Sequence, residues 1–329
     1  MKKQLPLAKP LISYEPVVSH LTGIMATNMK KYECCIYNNF IDIILENAVD
    51  YLNVKNWYQY NIFEFLKIPR GIIYTLDKNK IIDMICKWID EQYYILVAFE
   101  TFYLSKYITY KQNKFRHYAM ISGYDRNKKI FFCSDFFDFT FYRVEECMMD
   151  EVVEAIKNNG SPTTKGAAKD FTLLRIDHDI VLKLDINKII MSLNMLLMDN
   201  NKNVQRQYGL AIFDSIYKLI EKGNIGEDET VFKRHAQFIV EHMKIMRMRA
   251  QYIQNLTKDG QLDCVITSMM QEEIKVQQYR NYVLKLLITD TKIFPTAKRN
   301  MYIDFLKNIK RTYMNNIAIL KNYLKEIPL

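Results

Sequence analysis

The sequence predicts an α+β fold in its first half and an all-α fold in its second half. Up to about residue 175, short β-rich runs alternate with amphipathic stretches. Beyond residue 176, apolar residues recur at helical spacing, and few glycines or prolines interrupt them. Between these two regions, residues 158–170 are rich in Gly, Pro and small polar residues, as is typical of a loop. We therefore expect an α+β domain over residues 1–175 and a helical domain over residues 176–329.

The elements of the first half follow from local periodicity. Apolar residues at helical spacing predict helices, and continuous apolar runs rich in aromatic and β-branched residues predict strands. A short polar segment at 125–128 predicts a hairpin turn. The expected helices cover 36–49, 80–89 and 146–157, and the expected strands cover 72–74, 93–99, 118–124, 129–133, 139–143 and 171–176.

The second half is predicted to be entirely helical. Asp185, Asp228 and Thr296 stand near plausible helix starts, and Gly223 and Gly260 near plausible ends. The expected helices cover 183–200, 204–223, 228–257, 262–289 and 296–326. The last is amphipathic and suits packing on its neighbours or on a second subunit, which leaves a homodimer open.

Composition excludes several classes of protein. No apolar run approaches the roughly 20 residues that span a bilayer, and the start lacks the apolar core of a signal peptide, so the cytoplasm is the expected compartment. The six cysteines show neither disulfide-framework nor zinc-ligand spacing, which predicts reduced thiols and no bound metal or cofactor.

The net charge of +9 leans toward the second half and is compatible with an acidic partner. No basic cluster with interleaved aromatic residues marks a nucleic-acid module. The sequence therefore favours neither a nucleic-acid nor a membrane partner.

Two adjacent thiols precede the predicted helix at 36–49. A cysteine at a helix N-terminus lies among unpaired backbone N–H groups, which favour the thiolate and can stabilise an oxyanion. Cys35 is the preferred candidate nucleophile and Cys34 the alternative. A buried structural cysteine is the competing interpretation.

A histidine and an aspartate bracket the predicted hairpin. His117 opens its first strand, and Asp135 ends its second. In an antiparallel pair the end of the second strand returns to the level where the first began, so Asp135 is expected beside His117, where it would fix the imidazole tautomer. Asp138 is a nearby competitor, whereas Asp125 lies in the turn at the far end.

Together, a cysteine at a helix start, His117-Tyr118 followed by Gly123-Tyr124-Asp125, a hairpin and a strand-ending Asp135 resemble the papain-like fold. The layout is similar to the double-glycine leader peptidases of bacteriocin exporters and, more closely, to the butirosin biosynthesis acyltransferase family. Phe40, Ile43 and Ile44 match that family's apolar spacing when Cys35 is the nucleophile.

The resemblance implies acyl transfer with Cys35, His117 and Asp135 as catalytic residues. The acyl group would come from a phosphopantetheine thioester on an acyl carrier protein or peptidyl carrier domain. It would pass through a cysteine acyl-enzyme to a small-molecule amine in secondary-metabolite biosynthesis. The sequence departs from the family at residue 29, which is Met where an oxyanion-hole Gln is expected, and Asn28 is the nearest amide.

Two other functions stay open. A cysteine peptidase or amidase would use the same triad, and a catalytically inactive scaffold would keep only the fold. Elsewhere, His235 and His242 share a predicted helix face with Arg249. That face fits a substrate or phosphate site less well than a packing or solvated face.

Overall fold

The computed structural model describes residues 1–46, 51–54, 62–159, 170–198, 206–223, 229–288 and 295–327. They form antiparallel sheets and helices. In chain order the elements are β1 (Lys2–Gln4), α1 (Pro16–Met25), α2 (Met29–Asn39), β2 (Ile43–Glu46), β3 (Tyr51–Val54), β4 (Phe63–Pro69), α3 (Arg70–Tyr74), α4 (Lys78–Asp90), β5 (Tyr94–Glu100), β6 (Arg116–Asp125), β7 (Ile130–Asp135), β8 (Arg143–Met148), α5 (Met149–Lys157), β9 (Asp170–Ile176), α6 (Ile186–Leu197), β10 (Arg206–Tyr208), α7 (Ile212–Lys222), α8 (Glu229–Thr257), α9 (Asp263–Leu287) and α10 (Thr296–Glu326).

The chain divides into two compact units. The first comprises Met1–Tyr32 and Asn61–Val181, and the second comprises Glu33–Tyr60 and Leu182–Leu329. The expected domains are 1–175 and 176–329, whereas in the structure the early segment Glu33–Tyr60 groups with the residues from Leu182 onward. Its strands β2 and β3 form a sheet with β10, a pairing over more than 150 residues that no local pattern reveals.

The first unit is built on an antiparallel sheet in the order β4-β9-β5-β6-β7-β8, with β1 added to the far end of β6. Every residue of β5 and β7 is buried, so these strands form the core. A bulge at residues 121–123 shifts the β6–β7 register, and β1 approaches closely there. A Cβ on Gly123 would lie 2.6 Å from the Lys3 carbonyl oxygen, so only glycine fits.

Helix α1 packs against β6 and β7. Its start is encoded locally, since Pro16 occupies the first turn and the Glu15 carboxylate accepts a hydrogen bond of 2.9 Å from the Val18 N–H. Residues 17–25 are all buried, so one helix fills the space above the hairpin. Asp77 caps α4 in the same manner, and α4 matches the helix expected at 80–89.

The second unit combines the small sheet β10-β2-β3 with long helices. Helix α8 packs along α9, and α10 packs against α6, α7 and α9. The apolar residues that predicted these helices face one another, and methionines such as Met243 and Met246 are buried in this core.

Several sequence-based expectations are wrong, mostly because a short apolar run fits either a helical or a strand period. Helix α2 ends at Asn39, whereas the apolar residues from Ile43 onward form β2 and not a continued helix. The expected strand at 72–74 belongs to α3. The expected helix at 204–223 begins as β10, and the expected helix at 146–157 begins only at Met149, because β8 runs to Met148. Residues 139–142, expected as a strand, are irregular and precede β8. Most of the expected loop at 158–170 lies outside the described residues.

Among the helices that the structure describes, none combines the length and apolar character needed to cross a membrane.

Candidate active site

The hairpin of β6 and β7 brings His117 and Asp135 together within the first unit. Met120 pairs with Ser134, so Asp135 returns to the level of the first residues of β6. The His117 Nδ1–H donates a hydrogen bond of 2.5 Å to Asp135 Oδ2. Asp135 is fully buried, whereas the His117 side chain keeps 16% of its surface exposed. The contact expected from the hairpin is therefore present.

Tyr107 is a third member of this cluster. Its hydroxyl donates a hydrogen bond to the same Oδ2 of Asp135. Burial and the adjacent carboxylate raise the pKa of Tyr107 well above its ordinary value, so the phenol stays protonated and acts as a donor. Two donors on one oxygen hold Asp135 in place, and the carboxylate in turn fixes the His117 tautomer with its proton on Nδ1.

Three aromatic rings surround the His117 ring. Phe115 stacks on it with ring centroids 5.8 Å apart, and Phe139 meets its edge at the same separation. Tyr107 lies edge-on to it at 6.3 Å. Phe115 and Phe139 also contact each other at 5.4 Å. The candidate base thus lies in an apolar enclosure that is open on the Phe115 side, where that ring is 45% exposed.

A second histidine lies close to this cluster. His20 of α1 shares a hydrogen bond of 2.8 Å with the Tyr142 hydroxyl and is completely buried. Burial lowers the pKa of His20 to about 4, and the Asp135 charge only partly offsets this effect. His20 is therefore neutral at physiological pH. No sequence pattern selects His20, because a lone histidine in an apolar helix is ordinarily a core residue.

The competing aspartates have structural roles. Asp138 accepts hydrogen bonds from the backbone N–H groups of Thr140 and Phe141 and pairs with Arg143 at 2.6 Å. These donors hold the pKa of the Asp138 carboxyl well below its usual range. Asp125 accepts from the backbone of Asn127 and Lys128 and so closes the hairpin turn.

Cys35 is not at a helix start, which corrects the main premise for its reactivity. It lies in the second half of α2 and is 1% exposed. Burial raises the pKa of its thiol to about 12, although Lys188 and the Asn39 amide oppose that shift. Cys35 belongs to the second unit, whereas His117 and Asp135 belong to the first.

The structure also shows the positions of the alternative thiol, Cys34, and of the oxyanion candidate, Asn28. Cys34 is 8% exposed, and its sulfur lies 3.3 Å from the Tyr252 hydroxyl. Asn28 is exposed and ends the single 3-10 turn, Ala26–Asn28, that joins α1 to α2. Asn28 therefore lacks the burial expected of an oxyanion-site donor.

The histidines of α8 belong to the interior of the second unit. His242 donates from Nε2 to the Ile41 carbonyl at 2.9 Å, and its Nδ1 accepts from the Tyr313 hydroxyl at 2.8 Å. Arg249 is fully buried and donates to the carbonyls of Tyr37 and Phe40. This face is a packing face that satisfies the last carbonyls of α2 and the residues just beyond it.

Within the described ranges, no group of three His, Cys, Asp or Glu side chains is arranged to hold a metal ion.

No protein-family model matches the sequence, and a search of the curated proteins finds no match.

Proposed function

We propose that the protein is an acyltransferase in which His117, oriented by Asp135, is the general base that forms an amide from an acyl thioester. The observation that carries the proposal is the Asp135–His117 hydrogen bond of 2.5 Å, with a fully buried acid and a partly exposed imidazole. The resemblance to the papain-like butirosin acyltransferases supports the same reaction class.

The proposed reaction begins with an acceptor amine beside the imidazole. With its proton on Nδ1, His117 presents Nε2 as the basic nitrogen. As the amine nitrogen attacks the thioester carbonyl, Nε2 takes the proton that the nitrogen loses. The C–N bond forms, the C–S bond breaks, and the imidazolium returns the proton to the leaving thiolate. Asp135 accepts the Nδ1 hydrogen bond throughout and stabilises the transient imidazolium.

We propose direct attack by the amine and not an acyl-enzyme on Cys35. Because burial raises the pKa of the Cys35 thiol to about 12, the thiol is protonated at pH 7. A nucleophilic cysteine needs the opposite environment. The acyl donor remains a phosphopantetheine thioester on an acyl carrier protein or peptidyl carrier domain, and the acceptor remains a small-molecule amine.

The test measures amide formation and free-thiol release with a panel of acyl-pantetheine thioesters and amines. We expect His117→Gln to lower the rate by about 10²- to 10⁴-fold, because general-base catalysis contributes that much. His178→Gln is the matched control, since His178 is an exposed histidine of the same unit. Equal rates for the two variants would refute the proposal.

The route is tested separately with Cys35→Ala and Cys34→Ala. Direct transfer predicts that both variants keep most of the wild-type rate and that intact mass shows no acyl adduct on the wild type. An adduct that disappears only in Cys35→Ala would restore the acyl-enzyme route. Thiol release without amide would instead indicate hydrolysis by the same base.

A catalytically inactive papain-like scaffold is the second candidate, and the buried, protonated Cys35 favours it. For that function we expect neither turnover nor thioester binding by the folded wild-type protein.

A further inference from the structure

The rings around His117 have the properties of a binding subsite and not only of packing. Phe115 is 45% exposed, yet its backbone is anchored on both sides. Its N–H donates to the buried carboxylate of Glu100 at 2.7 Å. Its carbonyl accepts from the Thr101 N–H at 2.9 Å and from the Thr101 hydroxyl at 2.8 Å. Three hydrogen bonds thus fix the backbone of Phe115, whose side chain is exposed.

The opposing ring comes from a separately built turn. Phe139 has a φ of +58°, a left-handed conformation that costs an aromatic residue energy. Asp138 holds this turn through the Thr140 and Phe141 N–H groups, and Arg143 holds Asp138. Two separate sets of backbone hydrogen bonds, one at Phe115 and one in the Asp138 turn, therefore place two phenyl rings against the His117 imidazole.

The charge near these rings determines which ligand they suit. Residues 101–116 contain Lys106, Lys111, Lys114 and Arg116 and no acidic residue. Lys106 pairs with Glu145 at 3.5 Å, whereas the other three cations are exposed and form no ion pair within the described ranges. Aromatic rings with acidic neighbours would attract a cation. The acids beside these rings are already engaged, since Glu100 accepts from the Phe115 N–H, Asp135 from His117, and Asp138 pairs with Arg143. The exposed charge that remains, on Lys111, Lys114 and Arg116, opposes a cation and favours a ligand with an anionic part.

We infer that Phe115 and Phe139 form the acyl-group subsite of this centre and select a donor with an aromatic acyl group on an anionic, phosphate-bearing carrier arm. This inference rests on the proposed function, because it names the substrate class of that reaction. Phe115 is exposed and lies against His117, and Phe139 is close to perpendicular to both of these rings. The acyl carbonyl beyond the ring would then lie beside His117.

The experiment measures equilibrium binding by calorimetry, without turnover. The probes are phosphopantetheine analogues in which a methylene replaces the thioester sulfur, carrying either a phenylacetyl or an acetyl group. We expect the wild type to bind the phenylacetyl probe at least about tenfold more tightly, since aromatic pairing adds to the apolar area buried. Phe115→Ala should remove this preference.

Phe139→Gly is the second variant, because glycine adopts a φ of +58° without strain while the ring is lost. It should remove the preference as well, with the fold checked by circular dichroism. Phe141→Ala is the control, since Phe141 is 69% exposed and makes no ring contact with His117 among the described residues.

The outcomes separate this inference from the proposed function. Selective phenylacetyl binding without turnover would keep the subsite and reject the acyltransferase. Amide formation with equal binding of both probes, or a preference that survives Phe115→Ala and Phe139→Gly, would overturn the subsite alone.

Discussion

Asp135 is fully buried, and its Oδ2 accepts from both His117 and Tyr107. A carboxylate in the core keeps its charge only when donors satisfy it, since burial disfavours the charged form. Tyr107 is therefore more than an aromatic neighbour of His117. It is a positioning residue that acts on the imidazole through Asp135.

Replacing Tyr107 with Phe keeps the ring contacts and removes one donor. We expect the unfolding free energy to fall by about 1–3 kcal/mol, because a buried acceptor loses a partner. We also expect the far-downfield NMR resonance of the His117 Nδ1 proton to shift. The control is Tyr110→Phe, whose hydroxyl makes no hydrogen bond among the described residues. Identical stability and spectra for the two variants would contradict this role.

The sequence identified two residues of this cluster and missed the others for a physical reason. His117 and Asp135 lie at the ends of two regular strands, so strand register alone brings them together. Tyr107 and Phe139 lie in irregular segments, whose geometry depends on turns and on side chains that accept from the backbone, such as those of Glu100 and Asp138. Periodicity carries no information about such segments.

The expected position of Cys35 is wrong because the start of the helix was predicted wrongly from a short apolar run. The apolar residues Ile36, Phe40, Ile43 and Ile44 fit a helix that starts after the thiols. In the structure, Ile36 belongs to α2, Phe40 follows its end, and Ile43 and Ile44 belong to β2. A short apolar run suits either period, and tertiary pairing with β10 decides. Cys35 therefore lies within α2 and is buried, and does not stand at the start of a helix as expected.

At the scale of elements, the C-terminal end of α2 depends on α8. The guanidinium of Arg249 donates hydrogen bonds to the carbonyls of Tyr37 and Phe40, and His242 donates one to the Ile41 carbonyl. The carbonyls of a last helical turn have no partner within the helix, so buried side chains supply the donors. A helix early in the chain is thus completed by residues about two hundred positions later.

Arg249→Met keeps most of the stem and removes both donors. We expect a loss of about 3 kcal/mol in unfolding free energy, since two buried carbonyls lose their partners. Arg247→Met is the matched control, because Arg247 is on the same helix and pairs with Glu273 at 2.7 Å with part of its side chain exposed. We expect that control to cost at most about 1 kcal/mol. Equal losses in denaturant unfolding would refute the capping role.

At the scale of the whole molecule, three buried histidines in the two units share one response to pH. Burial lowers the pKa of His20 and His242 to about 4 and that of His235 to about 3. The unfolded chain binds these protons near pH 6.5, whereas the folded chain does not. The contribution of these three histidines to the unfolding free energy is therefore fully present above about pH 6.5. It is lost as the pH falls from about 6.5 toward about 4.

Thermal unfolding between pH 7.5 and 4.5 checks this response. We expect the midpoint to fall steadily below about pH 6.5, and His242→Gln to flatten the curve because one of the three groups is removed. His178→Gln is the control, because His178 is exposed and its replacement removes none of the three buried histidines. A flat wild-type curve over this range would show that the histidines are protonated without cost.

The position of β9 has a consequence for synthesis of the chain. This strand, Asp170–Ile176, lies between β4 and β5 in the sheet, although it is the last strand of the first unit to be made. Until the ribosome has released it, β4 has no partner among the described strands of that unit, and one side of the core strand β5 is unpaired. A nascent chain that stops before residue 170 therefore exposes two strand edges, and β9 must insert between them to close the sheet.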